Sequence, residues 1–103
     1  AARLFEAAIH VHETGALLES LAQCLLLLDL PRRAVDAAAR AVELDRSWVE
    51  ARFTLGRALA EVDDWAAALE EFRAVASLEP SHEDVADEIR RAAYQLRRRA
   101  PSS

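Results

Sequence analysis

The stretch WVEARFTLGRALAEVDDWAAALEEFRAVASLEP, residues 48–80, holds one complete pair of helical patterns. Glu50, Phe53, Leu55, Gly56 and Leu59 mark a first helix, Asp63, Asp64 and Trp65 a turn, and Ala68, Phe72 and Val75 a second helix. Pro80 ends that second helix, because proline has no amide to continue the ladder. Shifted back by 34 residues, the pattern recurs. Leu55 falls on Leu21, Gly56 on Ala22, Leu59 on Leu25, Val62 on Leu28 and Asp63 on Asp29. In the second helix Ala68 falls on Ala34, Leu69 on Val35, Val75 on Ala41, Leu78 on Leu44 and Glu79 on Asp45. A fixed period of this size marks stacked supersecondary units, whereas an ordinary helical bundle has no reason to repeat.

The residue types explain the period. Antiparallel helices approach closely only where a facing side chain is small, which is the part of Gly56, Ala22, Ala34 and Ala68. Leu25, Leu59, Trp65 and Phe72 then fill the space between turns. At these positions the chain resembles the tetratricopeptide repeat family, through Leu55-Gly56, Ala68, Phe72 and Pro80 in one copy and Ala22, Ala34 and Ala41 in the other. It departs from the family pattern at Arg52 and Leu59, where aromatics are usual, and at Ala38 and Arg46, which replace an aromatic and the closing proline. The resemblance implies an all-α fold of antiparallel helix hairpins stacked as a right-handed α-solenoid of about six helices.

One domain is expected over 1–103, with 1–12 the second helix of a truncated repeat, 15–46 and 49–80 two full repeats, 82–99 a capping helix and 100–103 a tail. Nearly the whole chain also resembles one small eukaryotic member of the family. That likeness runs through Ala34-Val35, Ala37-Ala38, Ala41-Val42, Ser47-Trp48 and Leu55-Gly56-Arg57-Ala58, and it implies an adaptor role.

Composition narrows the function classes. Hydrophobic residues make up 52% of the 103 residues, with two Gly and three Pro, so helix formers dominate a length that suits one domain. A single cysteine excludes a disulfide framework or a cysteine-built zinc site and suits a reducing compartment, so the expected address is intracellular, in cytoplasm or nucleus. The longest apolar run, Leu25 to Leu28, is far too short to span a membrane, and no membrane partner is expected. The chain begins without Met inside an apparent helix, which reads as a piece of a longer protein.

Net charge is −5, yet residues 90–103 carry five Arg and no acid, leaving an acidic body with a basic end. Nucleic acid binding wants a continuous basic face, so RNA contact by Arg97 to Arg99 ranks as a distant reading. Arg90, Arg91, Arg97 and Arg98 read first as the solubilising face of a terminal helix.

No catalytic constellation is present: there is no phosphate loop, no His-Glu-x-x-His and no nucleophile with a spaced base. Enzyme activity, a cofactor, a metal and a small-molecule substrate are therefore not expected. His10 and His12 point about 200 degrees apart on a helix and make a poor metal pair. Cys24 sits among apolar residues and reads as a buried structural thiol. Ser47 to Glu50 has the spacing of a capping box, and His82 reads as a first-turn helix residue.

In the family that the chain resembles, the first helix of each repeat lines a concave groove for a partner segment. Carried onto this register, the groove residues are Glu19, Gln23, Leu26 and Leu27, then Glu50, Phe53, Arg57 and Glu61, then Asp87, Arg91 and Tyr94. Some family members clamp the acidic tails of heat-shock chaperones with basic groups. Glu19 and Glu88 at such sites would repel a carboxylate, so a partner peptide or helix with apolar anchors and basic flanks is expected instead. Leu26 and Leu27 serve either as a binding surface or as the seat of an upstream helix. The runner-up is a structural role, in which the N-terminal helix with its apolar Leu4 and Phe5, together with Leu26-Leu27, docks onto another copy, giving a homo-oligomer, or onto another subunit.

Overall fold

A computed structural model describes residues 2–99, apart from the side chains of residues 2–5 and 8. Five helices follow in order: α1 Ala2–Leu27, α2 Pro31–Leu44, α3 Val49–Glu61, α4 Trp65–Leu78 and α5 Val85–Arg99. Each packs on the next, and α1 also meets α3. The period is visible atom by atom at the hairpin turns. Asp29 and Asp63, 34 residues apart, both take positive φ, 59° and 64°. Beside them Leu30 N donates to Leu25 O at 2.8 Å and Asp64 N to Leu59 O at 2.9 Å. This left-handed stop with a 6→1 bond satisfies carbonyls that the helix end leaves open. Pro31 opens α2, where its missing amide costs nothing, and Asp64 opens α4 by accepting from Ala67 N at 3.3 Å.

Two corrections concern the helix boundaries. About six helices were expected, with a break between residues 12 and 15, but α1 runs unbroken through that segment, so among the described residues there are five. No residue there stops a helix. Gly15 costs only about 1 kcal/mol against alanine, and its φ is not positive. Instead Gly15 is buried where a Cβ would lie 3.2 Å from the Trp48 ring, so its bareness serves close approach. The capping helix begins at Val85 rather than residue 82. The tail 100–103 lies outside the described residues.

Local capping also differs from expectation. Ser47 makes no capping box: its hydroxyl and its amide both donate to Asp45 Oδ1, at 2.8 and 3.1 Å. The turn is closed by Asp45, a side chain well suited to bonding the amide two residues on. His82 lies ahead of α5, its ring centroid 4.7 Å from that of Phe53.

The two cores are unlike. The first is built from Ala22, Ala34, Ala37, Ala38, Ala41, Ala51 and Ala58 with Leu25, Val42 and Leu55. Trp65, Leu69, Phe72, Val75 and Val85 fill the second. Gly56 shows why: a Cβ there would come within 2.6 Å of the Phe72 ring. Its counterpart Ala22 carries that Cβ, and the first repeat has Ala38 in place of Phe72. Arg52, standing where the family has an aromatic, ties α3 to its surroundings through Glu71 at 3.0 Å and the Arg46 carbonyl at 2.6 Å.

Candidate partner-binding groove

The leading helices α1 and α3 meet side by side, and what they share is polar. Glu19 is buried, its two oxygens engaged by the Thr54 hydroxyl from α3 and by Gln23 Nε2 at 2.6 Å from the next turn of α1. A buried carboxylate is tolerable only when its oxygens are bonded in this way. Glu19 is thus a structural tie between leading helices, and its charge faces inward rather than toward a partner.

Beyond that tie a cleft of 240 Å³ lies between the two helices, lined by Gln23, Leu26, Leu27, Arg57 and Glu61. Five of the eleven residues expected in the groove meet here. Leu26 packs partly on the first core, while Leu27 is 86% exposed, so the cleft has an apolar floor and lip. Arg57 and Glu61, one turn apart on α3, bring opposite charges to its wall.

The other expected groove residues do not join it. Phe53 is half-buried, its ring centroid 5.6 Å from that of Phe72, and it packs against the second core. Glu50 is exposed in the first turn of α3. On α5, Asp87 pairs with Arg90, and Tyr94 carries the Arg98 guanidinium 5.8 Å from its ring centroid. Arg91 lies over Trp65, 5.4 Å from the indole centroid. These three side chains are engaged locally, so α5 adds little to the cleft.

Cys24 is exposed, against the expectation of a buried thiol. Its counterpart one period on, Ala58, is covered by α2, but α1 has no helix on the equivalent side among the described residues. No group of three or more acids, His or Cys able to hold a metal occurs among the described residues, and none of the helices is long and apolar enough to cross a membrane.

No family model matches the chain, and no curated protein sequence matches it. Solved structures do. The first repeat domain of Spaghetti (RPAP3), bound to the HSP90 peptide SRMEEVD, superposes with a TM-score of 0.79 at 24% identity over 81% of this chain and 66% of that one. This is the tetratricopeptide-repeat fold. The first such domain of human RPAP3 gives the same TM-score and identity over 82% of this chain and 67% of that domain. The chain therefore spans about two thirds of the length of these tetratricopeptide repeat domains.

Proposed function

We propose that the chain is a non-enzymatic protein-interaction module, a scaffold or adaptor that holds a partner peptide or helix against its leading helices. The observation that carries this reading is the cleft between α1 and α3, where exposed Leu27 stands beside Leu26, Arg57 and Glu61. Leaving a large apolar side chain wet forgoes about 1.5–3 kcal/mol, which a partner's apolar anchor recovers. Basic flanks on that partner complement Glu61 and Glu50. The similar domain of Spaghetti holds an acidic peptide, but here Glu19 is engaged by Thr54 and Gln23, and exposed Glu50 and Glu61 on α3 disfavour acidic flanks. A right-handed stacking of the hairpins, an intracellular address and the closer likeness to tetratricopeptide repeat protein 33 belong to the same proposal.

Calorimetric titration against a library of basic, apolar-anchored peptides tests it. Binding is expected in the micromolar range, weakened about tenfold or more by Leu27→Glu and by Glu61→Lys. Peptides that bind both variants as well as they bind the parent chain would overturn the reading.

A second reading rests on a separate observation. Ala51, Leu55 and Ala58 of α3 are buried against α2, and Val85 and Ala92 of α5 against α4. The same register on α1 is Leu17, Leu21 and Cys24, with Leu28 just beyond; Leu17 is 72%, Leu21 49% and Leu28 68% exposed, and Cys24 is exposed too. This apolar strip suits self-association with another copy or subunit. Leu4 and Phe5, also expected in such a patch, have side chains outside the described residues. Light scattering with thiol labelling decides: oligomers with Cys24 protected as concentration rises support it, and a freely labelled monomer refutes it. RNA contact by Arg97 to Arg99 ranks behind both, and salt-insensitive or absent binding to RNA would remove it.

A further inference from the structure

A second cleft, of 380 Å³, opens where the N-terminal half of α1 overhangs the end of α2. Val11, His12 and Gly15 of α1, Leu44 and Asp45 at the end of α2, and Trp48 line it. It exists because α1 does not stop at Gly15, so nothing in the 34-residue pattern announces it. Gly15 lets the helix backbone come against the Trp48 ring, and the His12 ring lies 6.3 Å from the indole, centroid to centroid.

The electrostatics of this cleft favour a cation. In a continuing helix the Ser47 and Trp48 amides would bond the Glu43 and Leu44 carbonyls; here they turn to Asp45, Ser47 to its side chain and Trp48 to its carbonyl at 3.2 Å. Carbonyls at the end of α2 are thereby left open at the negative pole of the helix, and its last turn holds no basic side chain. The Asp45 carboxylate adds a full charge. Its Oδ1 serves Ser47, and among the described residues no hydrogen bond engages Oδ2. Beside these negative groups stand two apolar walls, Val11 and Leu44, each about two fifths exposed, and a half-buried indole.

An ion alone would have no use for the walls, and an apolar group no use for the carboxylate. We infer that this cleft receives an arginine side chain from a partner protein. Its methylenes lie along Val11 and Leu44, its planar guanidinium stacks on Trp48, and its N–H groups donate to Asp45 Oδ2. Arginine suits the site better than lysine, because the guanidinium both stacks on an aromatic face and donates in a fork. This inference does not depend on the cleft at Leu27, which lies about 20 Å away along α1 at 1.5 Å per residue.

The test is nuclear magnetic resonance titration of the whole chain with acetyl-Gly-Arg-Gly-amide and with the same peptide carrying citrulline, a neutral isostere. The arginine peptide is expected to shift the Trp48 indole N–H and the Asp45 amide in a saturable way, and the citrulline peptide to bind about tenfold more weakly. Asp45→Asn keeps an oxygen for Ser47, so circular dichroism is expected to show the fold intact while arginine binding falls to the citrulline level. Equal binding of the two peptides, or shifts that spread over the acidic surface and leave Trp48 unmoved, would overturn the inference.

Discussion

Gly56 provides the sharpest test of how the hairpins close. An alanine in a helix interior is ordinarily worth about 1 kcal/mol over glycine, so Gly56→Ala should stabilise if space allowed. Space does not allow it: the new methyl would sit 2.6, 2.9 and 2.9 Å from three ring carbons of Phe72, a side chain with no exposed surface. A rigid ring packed on every side can yield only by moving its neighbours, at a cost of about 1–3 kcal/mol. The net expectation is a loss of about 1 kcal/mol, the difference between the two effects. The first repeat supplies the control, since it carries Ala22 with Ala38 where the second carries Gly56 with Phe72. In a Phe72→Ala background, itself costing about 3–5 kcal/mol, Gly56→Ala should reverse sign and recover about 1 kcal/mol. Urea unfolding followed by far-ultraviolet circular dichroism measures all four proteins, with Phe72→Leu as the milder partner if the alanine variant is too weak. A Gly56→Ala variant more stable than the parent, or one with the same effect in both backgrounds, would refute the close-approach argument.

Other expectations follow from the same contacts. Removing Arg52 or Glu71, a partly buried pair, should cost about 1 kcal/mol each, with coupling of similar size in a double-mutant cycle; additive losses would mean that the pair does not interact. Thr54→Val strips a donor from the buried Glu19 carboxylate and should destabilise by about 1–3 kcal/mol, which denaturant titration can read. At positive φ, Asp29→Ala should be less stable than Asp29→Gly by about 1 kcal/mol in thermal unfolding, and an equal pair would contradict the left-handed turn. Exposed Cys24 should react with a thiol reagent in the native monomer at close to the rate of a free thiol; native protection that persists at high dilution would place it in a core.

The middle of the chain was legible because its turns are spelled out in breakers. Asp29 with Pro31, and Asp63 with Asp64, each combine a residue tolerant of positive φ with a helix opener, and α2 and α4 begin 34 residues apart. Hydrophobic spacing says which face a helix buries but not where it fails to stop, which is why the unbroken α1 was read as two pieces. Gln23, Leu26, Leu27, Arg57 and Glu61, which the family resemblance places in a groove once carried onto this register, line one cleft. Glu19 could not be read the same way, because its partners depend on how two leading helices sit beside each other. Arg91 and Tyr94 sit at groove positions by count, yet stacking on Trp65 and holding Arg98 occupy them. In the sequence Trp48 stands within an expected capping box and Asp45 is only the counterpart of Glu79; their cleft appears only once α1 continues above them.

The two cores differ in what fills them. The largest side chains with no exposed surface, Phe72 and Val75, both belong to α4, while α1 and α2 meet mostly through alanine methyls. Amide hydrogens of α4 should therefore be the last to exchange with deuterium. A guest seated between α1 and α3 bridges the alanine-built core and the one filled by larger side chains, so its arrival should register as slowed exchange well away from the atoms it touches.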